Sequence, residues 1–531
     1  MSRVDPHLPD PHLPHLCSGA GWLIAILALA GLLRLVWLDG APPGFNQDEA
    51  SNGYDAYCFL KTGRDRHGDW LPVTLKAFSD KVDHRSPVYA YLSVPSVWAF
   101  GLTHFGTRFP AALLGTVTVG LTFLLGRTLL GARGGLAAAA LLAVSPWHIF
   151  MSRFAHEPSV VPFFLVAALC CLLRGTASRG YLLAGAALAA LLLYNYPVTR
   201  LFGPVLLLAY AVVFRREVKE RKRAFGVALA LFVLLVLPLA YKTATLYASV
   251  QGRFHQISIF DEPFPKCVVL FALNYLSHFA PSFLFGRGGV VEGDFVKIAY
   301  LPMLPVMLVG LWECVRQRQP SHQLLLAWLL AFPLAASLTY PYVAAPSALR
   351  PIVAIPLFEL LAALGFERCL GEAPAAAWRK LVAGLLALAL AASAFFFVAH
   401  YLFVYPRHPA PGFQYGFRQA LQYVAAVQGN YDKVFITDKA NQPHIFVLFY
   451  GQYDPRTYQT ERVEREYLPS GWWKVNRFGK YRFGDIRGVY EPNRRHLYVA
   501  RPEELAGREI MPLKTVGGPG GKIAFLVVRG E

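Results

Sequence analysis

Apolar runs of roughly 15 to 20 residues recur along the first 404 positions of this 531-residue chain. A succession of such runs marks a multi-span membrane protein. Composition agrees: 55% of residues are hydrophobic and 16% charged, where a soluble protein carries about a quarter charged. The mean hydropathy is +0.38.

The formal charge of +18 does not point to nucleic acid. Much of it sits in short loops between apolar runs, where orientation requires it. The clearest such loop is "RREVKERKR", Arg215 to Arg223. Others carry Arg127 and Arg133, Arg174 and Arg179, Arg316 and Arg318, and Arg368, Arg379 and Lys380. Placing these on the cytoplasmic side gives eleven spans: 21–38, 108–126, 134–150, 159–173, 180–194, 201–214, 224–241, 296–315, 322–339, 350–365 and 380–404. The N-terminus is then inside and the C-terminus outside. Two further apolar runs do not fit. Residues 86–102 carry Pro87 and Pro95, and counting them would invert the charge pattern. Residues 267–285 carry Asn274, His278 and Pro281. Both read as helices at the outer membrane surface, the second re-entrant in the alternative.

The N-terminal segment 1–20 repeats Pro-His-Leu-Pro and reads as a disordered cytoplasmic tail. The transmembrane domain covers 21–404, with a long outer loop at 39–107. From Tyr405 the composition changes. "FRQALQYVAAVQG" reads as an amphipathic helix, and "DKVFITDK", "RRHLYVA" and "KIAFLVVR" as strands. Residues 405–531 thus form a small extracytoplasmic α/β domain. Its Tyr, Trp and Arg content suits acceptor or headgroup contact, or plain packing on the outer face. The seven Cys form no CxxC pair. Cys58 and Cys267 could share a compartment, with no signature that pairs them.

The topology places the unusual polar motifs on one face. They are "NQDEASNGYDAY" (Asp48, Glu49, Tyr54), "DHRSPVY" (His84, Arg85), "MSRFAHEPS" (Arg153, Glu157), "YNYPVTR" (Tyr194, Tyr196, Arg200) and "SALRP" (Arg350). Solvated loops with no shared task would not sort this way, so one site at the outer ends of the spans is expected. Each motif also has a plainer reading. Glu157 stands four residues after Arg153, at ion-pair spacing on a helix. Tyr is common at membrane interfaces, and Arg at a span end can snorkel.

The ordered series of these motifs resembles the C-type membrane glycosyltransferases (GT-C), in particular family 39 protein mannosyltransferases and the related lipid A aminoarabinose transferases. "QDEASNGYDAY" and "DHRSPVYAYL" stand where that family has an Asp-Glu pair and then a basic residue followed by Pro and aromatics. The likeness spans approximately residues 20 to 365. The resemblance implies an α-helical polytopic fold of about eleven transmembrane helices. It implies inverting transfer of a sugar from a polyprenyl-phosphate donor to an acceptor hydroxyl on a protein, lipid or glycan. Asp48 is then the base, with Glu49 and Glu157 as supporting carboxylates. Arg85, Arg350 and Arg200 hold the donor phosphate. Tyr54, His84, Arg153, Tyr194 and Tyr196 contact substrate. The family's Lys-Pro-Pro is Arg-Ser-Pro here, which keeps the charge and alters the turn. No cofactor is required, although His84 with Asp83 or Glu157 could hold a divalent metal. The implied location is a plasma (inner) membrane. Other classes with this composition are a transporter or flippase, or a non-catalytic binder of lipid-linked sugars. A transporter tends to show an internal repeat, and none is found here; a non-catalytic binder would not need Asp48.

Overall fold

The computed structural model describes residues 16–246, 252–340, 346–370, 377–408, 411–492 and 494–530. Most of the expected disordered tail lies outside the described residues.

Each of the eleven expected spans carries a helix: Leu16–Leu35, His104–Leu130, Ala132–Val144, Val161–Gly175, Arg179–Asn195, Thr199–Val213, Lys222–Thr245, Met303–Gln317, Pro320–Ala331, Leu357–Leu370 and Ala377–Ala399. Among the described residues, four stretches are long and apolar enough to cross a membrane: His104–Leu130, Glu157–Gly175, Lys222–Thr245 and Leu381–Arg407. Their burial differs. The most apolar window of Glu157–Gly175 is 83% buried, whereas those of Lys222–Thr245 and Leu381–Arg407 are 11% and 17% buried. The first therefore lies in the core of the bundle and the other two on its lipid-facing rim. The doubtful runs form the helices Val88–Phe100 and Phe264–Ser277. At 13 and 14 residues each is about 20 Å long, short of the roughly 30 Å hydrocarbon core.

Helix ends explain several buried arginines. The last carbonyls of a helix lack intrahelical donors and carry partial negative charge. Arg153 donates to Leu33 O, Trp37 O and Ala41 O, each at 2.9 Å, and so closes the end of the first helix. Arg34 does the same for Leu142 O and Ala143 O at 3.0 Å, and also meets His148 Nδ1 at 2.8 Å. Arg221 serves Gly175 O at 2.9 Å. Two glycines set the tightest helix crossing. A Cβ on Gly310 would overlap Leu361 O, and one on Gly365 would overlap Val306 O. Only hydrogen at both positions lets Met303–Gln317 and Leu357–Leu370 pack this closely.

The C-terminal region builds a seven-stranded mixed sheet in the order Lys514–Gly517, Ile523–Arg529, His496–Ala500, Lys433–Thr437, Tyr481–Gly484, Trp473–Phe478, Glu464–Tyr467. Lys433–Thr437 pairs parallel with both neighbours, and the other pairings are antiparallel. The helix Phe417–Val427 forms where the amphipathic pattern lies. This sheet does not have a core to itself. Phe45, Tyr54 and Cys58 of the first long loop share one hydrophobic cluster with Phe446, Phe449 and Phe525. Cys58 and Cys267 are both free thiols.

Candidate active site

The site begins with the helix Gln47–Thr62. Asn46 is its N-cap: Oδ1 accepts from Asp48 N at 2.7 Å, and Glu49 Oε2 accepts from Asn46 N at 3.1 Å. This reciprocal box, with two acids in the first turn, suits the positive end of the helix. The neighbouring carboxylates then diverge. Glu49 and Arg108 are 0% exposed and form a bidentate pair, Nε–Oε1 2.7 Å and Nη2–Oε2 2.9 Å. Glu49 Oε1 also takes Ala155 N at 3.0 Å. Arg108 further donates to Leu38 O, Pro42 O and Gly44 O. Glu49 is thus fully engaged in fastening the loop to the bundle. The Asp48 side chain stays 23% exposed.

Positions 48, 52 and 55 fall at i, i+4 and i+7, one face of the helix. On that face Asn52 Nδ2 donates to Glu157 Oε1 at 3.2 Å and to Ala155 O at 3.1 Å. Asp55 Oδ2 accepts from Arg85 Nη2 at 2.6 Å and from Arg66 Nη1 at 2.8 Å. Arg85 Nε lies 3.8 Å from Glu157 Oε1, and Nη1 reaches Asp48 O at 3.4 Å. His156 closes the group: Nε2 is 3.6 Å from Asp48 Oδ2 and Nδ1 is 3.2 Å from Glu157 Oε2. Burial opposes a charged imidazole here. The carboxylates of Glu157, Asp48 and Glu292 together outweigh it, and His156 is raised to about 9. Burial likewise opposes ionised Asp48, but His156, Arg85 and Arg253 hold it below the usual carboxylate value. Asp48 is therefore an ionised, partly open carboxylate at neutral pH.

Glu157 does not pair with Arg153, whose guanidinium goes to carbonyls; its neighbours are Asn52, Arg85 and His156. Tyr196 lies among charged groups. Burial raises its hydroxyl to about 12, countered by Arg350 and Arg253 and reinforced by Glu157 and Glu292. Arg350 donates to Thr339 Oγ1 and Tyr340 O, both at 2.6 Å. Tyr194 gives its hydroxyl to Leu235 O at 2.8 Å, while its carbonyl accepts from Ser86 Oγ. Among the described residues no hydrogen bond or ion pair joins Arg200 to this group, and its buried Nε has no hydrogen-bond partner. The structure does not bring Tyr54 to the site: it is buried and donates to Tyr453 O at 2.9 Å. His84 turns to Thr74 Oγ1 and Asp80 O. Among the described residues no three His, Cys, Asp or Glu are grouped to hold a metal ion.

Sequence reading missed Asp55, His156, Arg253 and Glu292. The i, i+7 spacing carried a signal for Asp55, and His156 stood inside a quoted motif. Glu292 carried none. It sits at the tip of the hairpin Gly289–Val291/Asp294–Val296 with φ +52, followed by Gly293 at φ +87. A tip with two positive φ values favours Asn, Asp or Gly, so Glu there is held under strain. Its Oε2 accepts from Asn46 Nδ2 at 2.8 Å. Burial and Asp48 raise Glu292 to about 7, against His156 and the Asn46 bond.

Residues 84–241 match the family model described as dolichyl-phosphate-mannose-protein mannosyltransferase. A search of curated proteins finds no sequence match. The fold is similar to that of ArnT from Cupriavidus metallidurans in the apo state, with TM-score 0.61, 15% identity, and 97% of this chain and 98% of that one covered. For the same enzyme bound to undecaprenyl phosphate the TM-score is 0.58, with 15% identity and coverage of 96% and 98%. The Archaeoglobus fulgidus oligosaccharyltransferase tethered to an acceptor peptide gives TM-score 0.57 at 12% identity, covering 82% of this chain and 63% of that one. Over residues 84–241 the sequence is similar to the protein mannosyltransferase family, and the fold as a whole is similar to that of ArnT.

Proposed function

We propose that the chain is an inverting glycosyltransferase of a multi-pass plasma membrane. It moves a sugar from a polyprenyl-phosphate donor to an acceptor hydroxyl at the extracytoplasmic face, where residues 405–531 also lie. The observation that carries this reading is the Asp48 carboxylate, partly open and beside the cations of His156 and Arg85. Asp48 takes the acceptor O–H proton as the oxygen attacks the anomeric carbon. The bond from that carbon to the phosphate oxygen breaks on the opposite side, and polyprenyl phosphate leaves with the electron pair. Such a leaving group needs cations rather than an acid. Arg85 suits the role, since its buried Nε makes no hydrogen bond among the described residues. Arg350 is the second phosphate cation and Arg200 the third. Glu49 positions Asp48 through the capping box, and Glu157 positions it through His156. Undecaprenyl phosphate bound to a protein of the same fold supports the donor class. The test is sugar transfer from a polyprenyl-phosphate donor by Asp48→Asn. Loss with the fold retained is expected, and wild-type turnover would remove Asp48 as the base.

A further inference from the structure

A cavity of about 360 Å³ lies away from Asp48, between the first long loop and the edge of the C-terminal sheet. Arg66, His67 and Lys76 line it from the loop, and Glu461, Arg465 and Trp473 from the sheet side. Most of these groups are already engaged. Arg66 pairs with Asp55 and Lys76 with Asp69. His67 Nε2 meets Lys76 O at 3.1 Å. Two groups are left over. Glu461 spends Oε2 on Tyr453 OH and Gly479 N, while its buried Oε1 has no partner among the described residues. Arg465 lies over the Trp473 ring at 4.7 Å and 3.5 Å from His67 Nδ1. It hydrogen-bonds Tyr458, and no ion pair of its own is found among the described residues.

One cavity therefore offers an unmet acceptor and an unneutralised cation. A buried oxygen without a donor is destabilising, so a ligand that supplies both complements is favoured. A simple anion satisfies Arg465 but is repelled by Glu461. A simple cation does the reverse. A neutral sugar leaves Arg465 unmatched. A sugar bearing a carboxylate meets both: a hydroxyl donates to Glu461 Oε1 and the carboxylate accepts from Arg465. We propose that this cavity is a saccharide exosite that holds a non-reacting sugar unit carrying a carboxylate. It is joined to the reaction site by one atom, because Asp55 Oδ2 accepts from both Arg66 on the cavity wall and Arg85. Binding stands independently of Asp48; only its use in recognising an acceptor rests on the proposed activity.

The test titrates the detergent-solubilised full chain with glucuronate, glucose and inorganic phosphate, read by saturation-transfer NMR. Saturable glucuronate binding is expected, with glucose and phosphate each about tenfold weaker. Arg465→Gln should weaken glucuronate about tenfold and leave undecaprenyl phosphate binding unchanged. Absent glucuronate saturation, phosphate or glucose binding as tightly, or affinity unmoved in Arg465→Gln overturns the site. The three-ligand comparison uses the wild-type chain alone, so it decides even if a variant fails to fold. Failure of undecaprenyl phosphate binding in the wild type would instead count against the glycosyltransferase reading.

Discussion

His156 stands between Asp48 and Glu157, 3.6 Å from Oδ2 of the first and 3.2 Å from Oε2 of the second. One imidazole thus bridges two carboxylates. Its pKa is raised from 6.5 to about 9, so its contribution to stability is fully present below pH 6.5 and is lost as pH rises through about 9. Replacing it by Gln should lower stability by about 1–3 kcal/mol near pH 6 and by little above pH 9.5. Thermal unfolding of both proteins across that range checks this; a deficit independent of pH would refute it.

The adjacent acids should behave oppositely on substitution. Asp48→Asn should lower stability only modestly, through the lost pairing with His156, and abolish transfer. Glu49→Ala leaves Arg108 buried without its anion, which should cost about 3–5 kcal/mol. Unfolding measured beside donor turnover separates the two. An Asp48→Asn protein with wild-type turnover, or a Glu49→Ala protein of wild-type stability, would contradict the division.

Burial, with Asp48 nearby, raises the Glu292 pKa from 4.5 to about 7. An acid raised on folding favours the native state below its unfolded value, and that benefit fades as pH climbs through about 7. Its appearing charge also opposes a bound phosphate. Undecaprenyl phosphate affinity should fall between pH 6 and 8 in the wild type and stay nearly flat in Glu292→Gln. Equal slopes in the two proteins would exclude Glu292 as the source.

Arg85→Ala and Arg350→Ala should each weaken donor affinity by about tenfold or more. Equilibrium binding of undecaprenyl phosphate reads this directly, and unchanged affinity in both discards the clamp.

Gly310→Leu and Gly365→Leu should prevent the Met303–Gln317 and Leu357–Leu370 helices from packing. Gly384, with nothing within 4 Å of its added Cβ, is the control: Leu there should be tolerated. Size-exclusion profiles in detergent distinguish the outcomes.

Much of the helical part was legible because hydropathy and loop charge act on whole segments. Each expected span holds a helix, although Ala132–Val144 and Pro320–Ala331 are no longer than the proline-bearing Val88–Phe100. The strands Glu464–Tyr467, Trp473–Phe478, Tyr481–Gly484 and Lys514–Gly517 were not read, being short and mostly polar on one side. In the site, Asp48, Arg85 and Glu157 were visible as motifs. The division of labour between Asp48 and Glu49 was not, because it depends on Arg108 arriving from 59 residues away. Glu292 lies 246 residues from Asn46, and nothing local marks their meeting.

The hydrophobic cluster that Phe45 and Tyr54 share with Phe446 and Phe449 has a biosynthetic consequence. The ribosome delivers the reactive loop first and its packing partners near the end of translation. The loop must therefore wait until the final segment is made before this cluster can close. A nascent chain halted before that point carries Asp48, Arg85, Glu157 and Glu292 without the aromatic partners that pack the loop.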